Sequence, residues 1–183
     1  MDHNQFLLVV AIILDVVAAE FKGGDNMAEY TYNPIQTVQP NQPVILNDSI
    51  PCNKGYVVHR NESGIVTLRG IVNCPTNCFA RYQVTFNGNI ALPEGATVTP
   101  ISVALAENGE PILTSRAVVT PAAVSEAEPS DANYFNVTST AIITVPKGCC
   151  FNVSVENTSE SDGATVAQPI NVQNANLTVS RIA

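Results

Sequence analysis

The feature that most constrains this chain is its punctuation. From Val44 to the C-terminus, short apolar runs alternate with clusters of Gly, Pro, Asn, Asp and Ser, and no apolar residue recurs at helical spacing for long enough to make a packed helix. The runs include "VIL" (44–46), "GYVVHR" (55–60), "IVTLRGIV" (65–72), "YFNVTSTAIITV" (134–145), "CFNVSVEN" (150–157) and "ANLTVSRIA" (175–183). Side chains alternate between the two faces of a strand, so these runs can be read for which side is buried. In 65–72, Val66 and Leu68 fall on one face, while Ile65, Thr67 and Arg69 fall on the other. Arg69 marks that second face as the one turned to solvent or to an interface. In 150–157, Phe151, Val153 and Val155 alternate with Asn152, Ser154 and Glu156, which predicts one buried and one wet face.

Two Asn-Gly pairs sharpen the reading. Asn87-Gly88 lies inside "RYQVTFNGNIAL" and Asn108-Gly109 inside "ISVALAENGEPIL". Asn-Gly readily supplies the two positive φ angles of a type I′ turn, so each pair predicts a tight hairpin. Eight to ten short strands with regular turns predict an all-β antiparallel sandwich or barrel. No linker divides residues 44–183, so they are expected to form one domain. Residues 28–43, rich in Pro, Gln and Asn, read as an extended lead-in.

Composition limits function. Only 13% of residues are charged, so the surface must be polar through uncharged Asn, Thr, Ser and Gln. A net charge of −8 with eight Lys plus Arg leaves no electrostatic footprint for nucleic acid or anionic lipid. The N-terminal run "QFLLVVAIILDVVAA" is too short for a membrane span and carries Asp15. As a signal peptide it lacks a basic n-region, although Ala18 and Ala19 offer a cleavage site. A second reading starts translation at Met27. Lys22-Gly23-Gly24-Asp25 can be encoded by AAAGGAGGTGAT, a ribosome-binding sequence just ahead of the Met27 codon. Residues 1–26 would then be an upstream misannotation, residues 27–43 an N-terminal arm, and the net charge 7 − 12 = −5. The defects of the export segment favour the Met27 start. Localisation is then open, with a cell, spore or virion surface expected.

Candidate chemistry is sparse. Five cysteines stand at Cys52, Cys74, Cys78, Cys149 and Cys150. Cys74 and Cys78 have the spacing of half a metal site, but with only His3 and His59 in the chain a second half is missing, and no metal or other cofactor is expected. The cysteines read either as disulfides or as buried thiols, and their odd number leaves one over. His59 could be combined with Asp48 and a serine as a hydrolytic set. No G-x-S-x-G turn accompanies it, and a surface or interface histidine is the expectation. The acids Glu107 and Glu110, then Glu126, Glu128 and Asp131, then Glu156, Glu160 and Asp162 cluster in turns and loops and form no EF-hand pattern. Six Asn-x-Ser/Thr sequons begin at Asn47, Asn61, Asn136, Asn152, Asn157 and Asn176, as expected by chance in an Asn- and Thr-rich chain.

"PVILNDS" followed by "GYVVHRNESGIVTLRG", the hairpin-like "ISVALAENGEPIL", the late turn and strand "ITVPKGCCFNVSVEN" and the terminal "ANLTVSRIA" together resemble the tumour-necrosis-factor-like jelly roll. That superfamily includes the complement-type globular heads and the C-terminal domains of bacterial spore-surface and collagen-like proteins. The resemblance covers 44–183 and is nearest in flavour to bacterial and phage versions. It implies a two-sheet jelly-roll sandwich and a compact homotrimer with an apolar seam near the threefold axis. It also implies a non-enzymatic module for adhesion, spore-surface or particle decoration, whose partners are its own copies and a surface receptor, glycan or particle shell. A carbohydrate-binding or carbohydrate-processing jelly roll is the alternative; the lack of Trp for stacking on sugars counts against it.

Overall fold

A computed structural model describes residues 26–52, 54–73, 76–121, 134–161, 163 and 166–183. Twelve strand segments among them, numbered in chain order, form two antiparallel sheets. The first sheet contains β1 (Met27–Tyr32), β2 (Gln36–Val38), β3 (Asn47–Ile50), β6 (Phe79–Ala91), β10 (Phe135–Pro146) and β12 (Ile170–Arg181). Its order is β10-β6-β12-β1-β3, with β2 also on β12. The second contains β4 (Val57–His59), β5 (Val66–Arg69), β7 (Ile101–Glu107), β8 (Glu110–Pro111), β9 (Ala117–Val119) and β11 (Cys150–Asn157). It runs β4-β5-β11-β7-β8, with β9 also on β7. From β5 onward the chain crosses to the opposite sheet at each long connection. This rolls the strands around a common core, as in a jelly roll.

Alternation in the sequence builds that core. Tyr82, Val84, Phe86 and Ile90 of β6 face Val66 and Leu68 of β5, Leu105 of β7, and Val153 and Val155 of β11 in one fully buried cluster. Each such side chain contributes about 1.5–3 kcal/mol on burial. The predicted split in 65–72 is observed: Val66 and Leu68 are buried, while Ile65 and Arg69 are exposed. The face of β11 expected to be wet is wet only at Asn152, because Ser154 and Glu156 are buried as well.

Asn108-Gly109 forms the predicted hairpin. Both residues take positive φ (53° and 84°), and Glu107 pairs with Glu110 across the turn. Asn87-Gly88 does not. β6 runs straight through it, paired with β10 on one side and β12 on the other. Period-two alternation explains this: Val84, Phe86, Gly88 and Ile90 all point inward. A Cβ on Gly88 would lie 2.7 Å from Cζ of Phe86, so the glycine makes room for the ring. On the facing strand, Asn174 and Ala175 lie opposite Gly88 between the pairs Gln173↔Asn89 and Asn176↔Asn87, and Asn174 has φ 52°. This is a β-bulge, which raises twist at that point.

The N-terminal lead-in also departs from expectation. It is extended, yet β1 is inserted between β12 and β3, with Ala28 and Tyr30 in the core. The fold therefore takes in residues 27–43 rather than beginning at 44. Strand β3 falls on Asn47–Ile50, just beyond the run 44–46. Val44 and Leu46, expected to form a strand, are buried outside the named strands; Val44 N bonds the Val155 carbonyl of β11 and Leu46 forms an isolated bridge with Ser63. Residues 1–25, with both readings of the N-terminal segment, lie outside the described residues.

Candidate interaction surface

The structure does bring His59 and Asp48 together. Nδ1 of His59 lies 2.6 Å from Oδ1 of Asp48, which joins β4 of one sheet to β3 of the other. The imidazole is buried, with 1% of its side chain exposed, and packs on the Tyr30 ring at 4.5 Å. This corrects the expectation of a surface histidine. Where a nucleophile's hydroxyl would have to sit, Nε2 instead meets the carbonyl of Ser63 at 2.9 Å. A carbonyl has no proton to give, so Nε2 is spent as a donor and the pair is a structural clamp. Burial, reinforced by the Asp48 charge, pushes the Tyr30 phenol well above its ordinary range and keeps it neutral.

The cysteines divide by position. Cys52 is half-buried against the core. Cys78, Cys149 and Cys150 are exposed, which overturns the buried-thiol reading for those three. They lie at the same end of the sandwich. The Cys78 carbonyl accepts from Lys147 N at 2.8 Å, and the Cys149 carbonyl from Gly70 N at 2.8 Å. Cys74 lies outside the described residues. Among those residues no group of three or more His, Cys, Asp or Glu side chains is placed to hold a metal ion.

Of the acidic clusters, Glu126, Glu128, Asp131 and Asp162 also lie outside. Glu107 and Glu110 flank the tight turn. Glu160 pairs with Arg116 at 2.5 Å, while Arg116 also donates to Ser102 Oγ and the Thr158 carbonyl. Asn157, one of the sequon residues, is fully buried. Its amide donates to the carbonyls of Val38 and Gln168, so it is inaccessible to modification.

The outward face of the first sheet is continuous and polar. β10 presents Asn136, Thr138, Thr140, Ile142 and Thr144. β6 presents Gln83, Thr85, Asn87 and Asn89, and β12 presents Asn171, Gln173, Asn176, Thr178 and Ser180. Charge reaches this face only at its margins, in Arg81 and in Glu29 of β1. The side chains bond across strands: Asn87 to Asn136 and Thr138, Asn136 to Asn89, Thr140 to Thr85, and Asn176 to Glu29. Such ladders fix rotamers and make the face flat and ordered. Ile142, on the edge strand β10, is the face's most exposed large apolar side chain, at 65%. The face is a carpet of amides and hydroxyls. Sequence reasoning saw the scarcity of charge but not that one face collects the uncharged groups. The signal was present in the alternate positions of 81–91 and 136–144.

No family model matches the sequence, and no curated protein matches it. Solved structures do. An Eiger TNF from S. frugiperda is similar over 86% of this chain and 94% of its own, with a TM-score of 0.54 and 11% identity. The globular domain of a zebrafish complement 1qA protein is similar over 86% of this chain and 98% of its own, at TM-score 0.49 and 16% identity. A CBM22-1 xylan-binding domain from Paenibacillus barcinonensis Xyn10C covers 85% of this chain at TM-score 0.30 and 10% identity. The Eiger similarity shows the fold, a TNF-like jelly roll.

Proposed function

We propose that this chain is a non-enzymatic, self-associating structural module. It is a homotrimeric jelly roll of bacterial or phage type that decorates a cell, spore or particle surface. The observation that carries this reading is the ordered, uncharged outward face of the first sheet. Copies of a chain with net charge −8 repel one another, and charged side chains lose hydration when buried between them. A face of Asn, Thr, Gln and Ser avoids both costs and offers donors and acceptors in register for a second copy. The TNF-like fold is compatible with threefold assembly. The Asp48–His59 pair, the nearest approach to a hydrolytic set, is closed by the Ser63 carbonyl.

The test is native mass spectrometry of the wild-type chain beside Thr140→Arg. Thr140 is exposed at the middle of β10, so an arginine there leaves the folded protomer intact. In a trimer it puts an unpaired charge into the interface. The expected result is a wild-type trimer and a folded monomeric variant; the same oligomeric state for both contradicts the assignment of the face. Genomic neighbourhood separates the destinations: capsid or tail genes nearby favour a virion component, and spore-coat genes a spore surface.

A further inference from the structure

On the opposite sheet, the unexpectedly buried face of β11 forms the floor of a groove. Pro43 and Ile65 line one side, Asn108 and Gly109 the other, and Asn152, Ser154 and Glu156 the base, around a volume of about 340 Å³. This is near the lower end of the range for small-molecule sites, about 300–1,000 Å³. Glu156 is 8% exposed, and Ser154 Oγ donates to its Oε1 at 2.6 Å. No cation pairs with it among the described residues, although buried carboxylates are ordinarily neutralised by one. The two asparagines have committed their oxygens: Oδ1 of Asn108 accepts from Asn152 N at 3.0 Å, and Oδ1 of Asn152 from Thr67 Oγ1 at 2.9 Å. The NH₂ end of each amide is therefore its donor end. Pro43 and the half-exposed Ile65 supply a small apolar ledge.

From this arrangement we infer that the groove is a binding site for a neutral sugar ring, with Glu156 accepting from its hydroxyls. A polyol matches each element in turn. Adjacent hydroxyls donate to the carboxylate, the amides donate to ring or hydroxyl oxygens, and the C–H face rests on the ledge in place of an aromatic platform. An anionic ligand is excluded by the Glu156 charge. Among the described residues, a divalent cation finds no further acids beside Glu156. The inference does not rest on self-association, which uses the other sheet, so either can fail without the other.

The experiment titrates the isotope-labelled full chain with neutral hexoses, pentoses and N-acetylhexosamines, one at a time, and follows backbone amide resonances. At least one sugar is expected to shift Asn108, Gly109, Asn152 and Ser154 together. Glu156→Gln keeps the side-chain shape and removes the charge, and is expected to weaken that affinity by about tenfold or more, the loss of one charge-assisted bond. Ile65→Arg, on the exposed rim, is expected to block the ledge with the spectrum otherwise unchanged. This keeps the test decisive if Glu156→Gln does not fold. The inference is overturned if no sugar in the panel shifts these resonances at tens of millimolar, or if the shifts persist unchanged in a folded Glu156→Gln or Ile65→Arg protein.

Discussion

Tyr82→Phe should reverse its effect on stability between neutral and strongly alkaline pH. Tyr82 rises from β6 through the core, fully buried, and its hydroxyl donates to the Arg69 carbonyl of the other sheet at 2.5 Å. Burial pushes the phenol from 10.0 up to about 12, with Arg181 offsetting part of the rise. Near pH 8 both folded and unfolded states are protonated. The variant then loses only the hydrogen bond, worth roughly 1 kcal/mol. Above pH 10 the unfolded chain releases the proton while the folded one keeps it, so the unfolded state binds fewer protons and stability falls as pH rises. At up to about 1.4 kcal/mol per pH unit, with the slope flattening as the folded pKa is approached, the wild type loses roughly 2 kcal/mol through this tyrosine by pH 12, and the phenylalanine variant loses none of it. Tyr30 and the remaining titrating groups are common to both proteins and cancel in the difference. Urea unfolding of both proteins at matched pH values, from about 8 to about 12, should show the variant less stable by roughly 1 kcal/mol at the start and more stable by a similar amount at the end. A difference constant across that range would refute the burial argument for Tyr82.

Three further substitutions test the frame around the two faces. Gly70→Ala would drive a Cβ into the backbone carbonyl of Pro146, which cannot swing aside; urea unfolding should show a loss of more than about 3 kcal/mol, or no folded protein. Gly88→Ala meets only the ring of Phe86, so the same assay should give a smaller loss, about 1–3 kcal/mol, with the oligomeric state unchanged. His59→Phe keeps the ring packed on Tyr30 but removes both imidazole hydrogen bonds; the Asp48 carboxylate is partly exposed and the Ser63 carbonyl keeps the Leu46 amide, so the loss should be about 1–3 kcal/mol in thermal or urea unfolding.

Much of this fold was legible because strands announce themselves through alternation. β5, β10 and β11 fall within or almost on the runs that predicted them, and the family pattern over 44–183 pointed to two sheets. The misreadings have local causes. Asn87-Gly88 carries the residue types of a turn, but β10 and β12 pair with its strand on both sides, and the inward position of Gly88 serves Phe86. β1 was hidden because its three inward residues, Ala28, Tyr30 and Tyr32, stand at the head of a Pro-, Gln- and Asn-rich stretch, and its place in the sheet is set by β12, nearly 150 residues away in sequence. His59 looked like a surface residue because the polar "HRNES" around it gives no hint that Asp48 and Ser63 close over the ring. The groove was invisible for the same reason. Asn152, Ser154 and Glu156 read as a wet face until Pro43 and the Asn108-Gly109 turn are seen to wall them in.

The central claim is that the uncharged face of the first sheet brings copies of this chain together. Sedimentation equilibrium of the purified protein at micromolar concentration tests it most directly. The account predicts a single species at three times the 19.4 kDa chain mass, or three times the mass of the mature chain if the N-terminus is processed. A stable monomer at that concentration would contradict it.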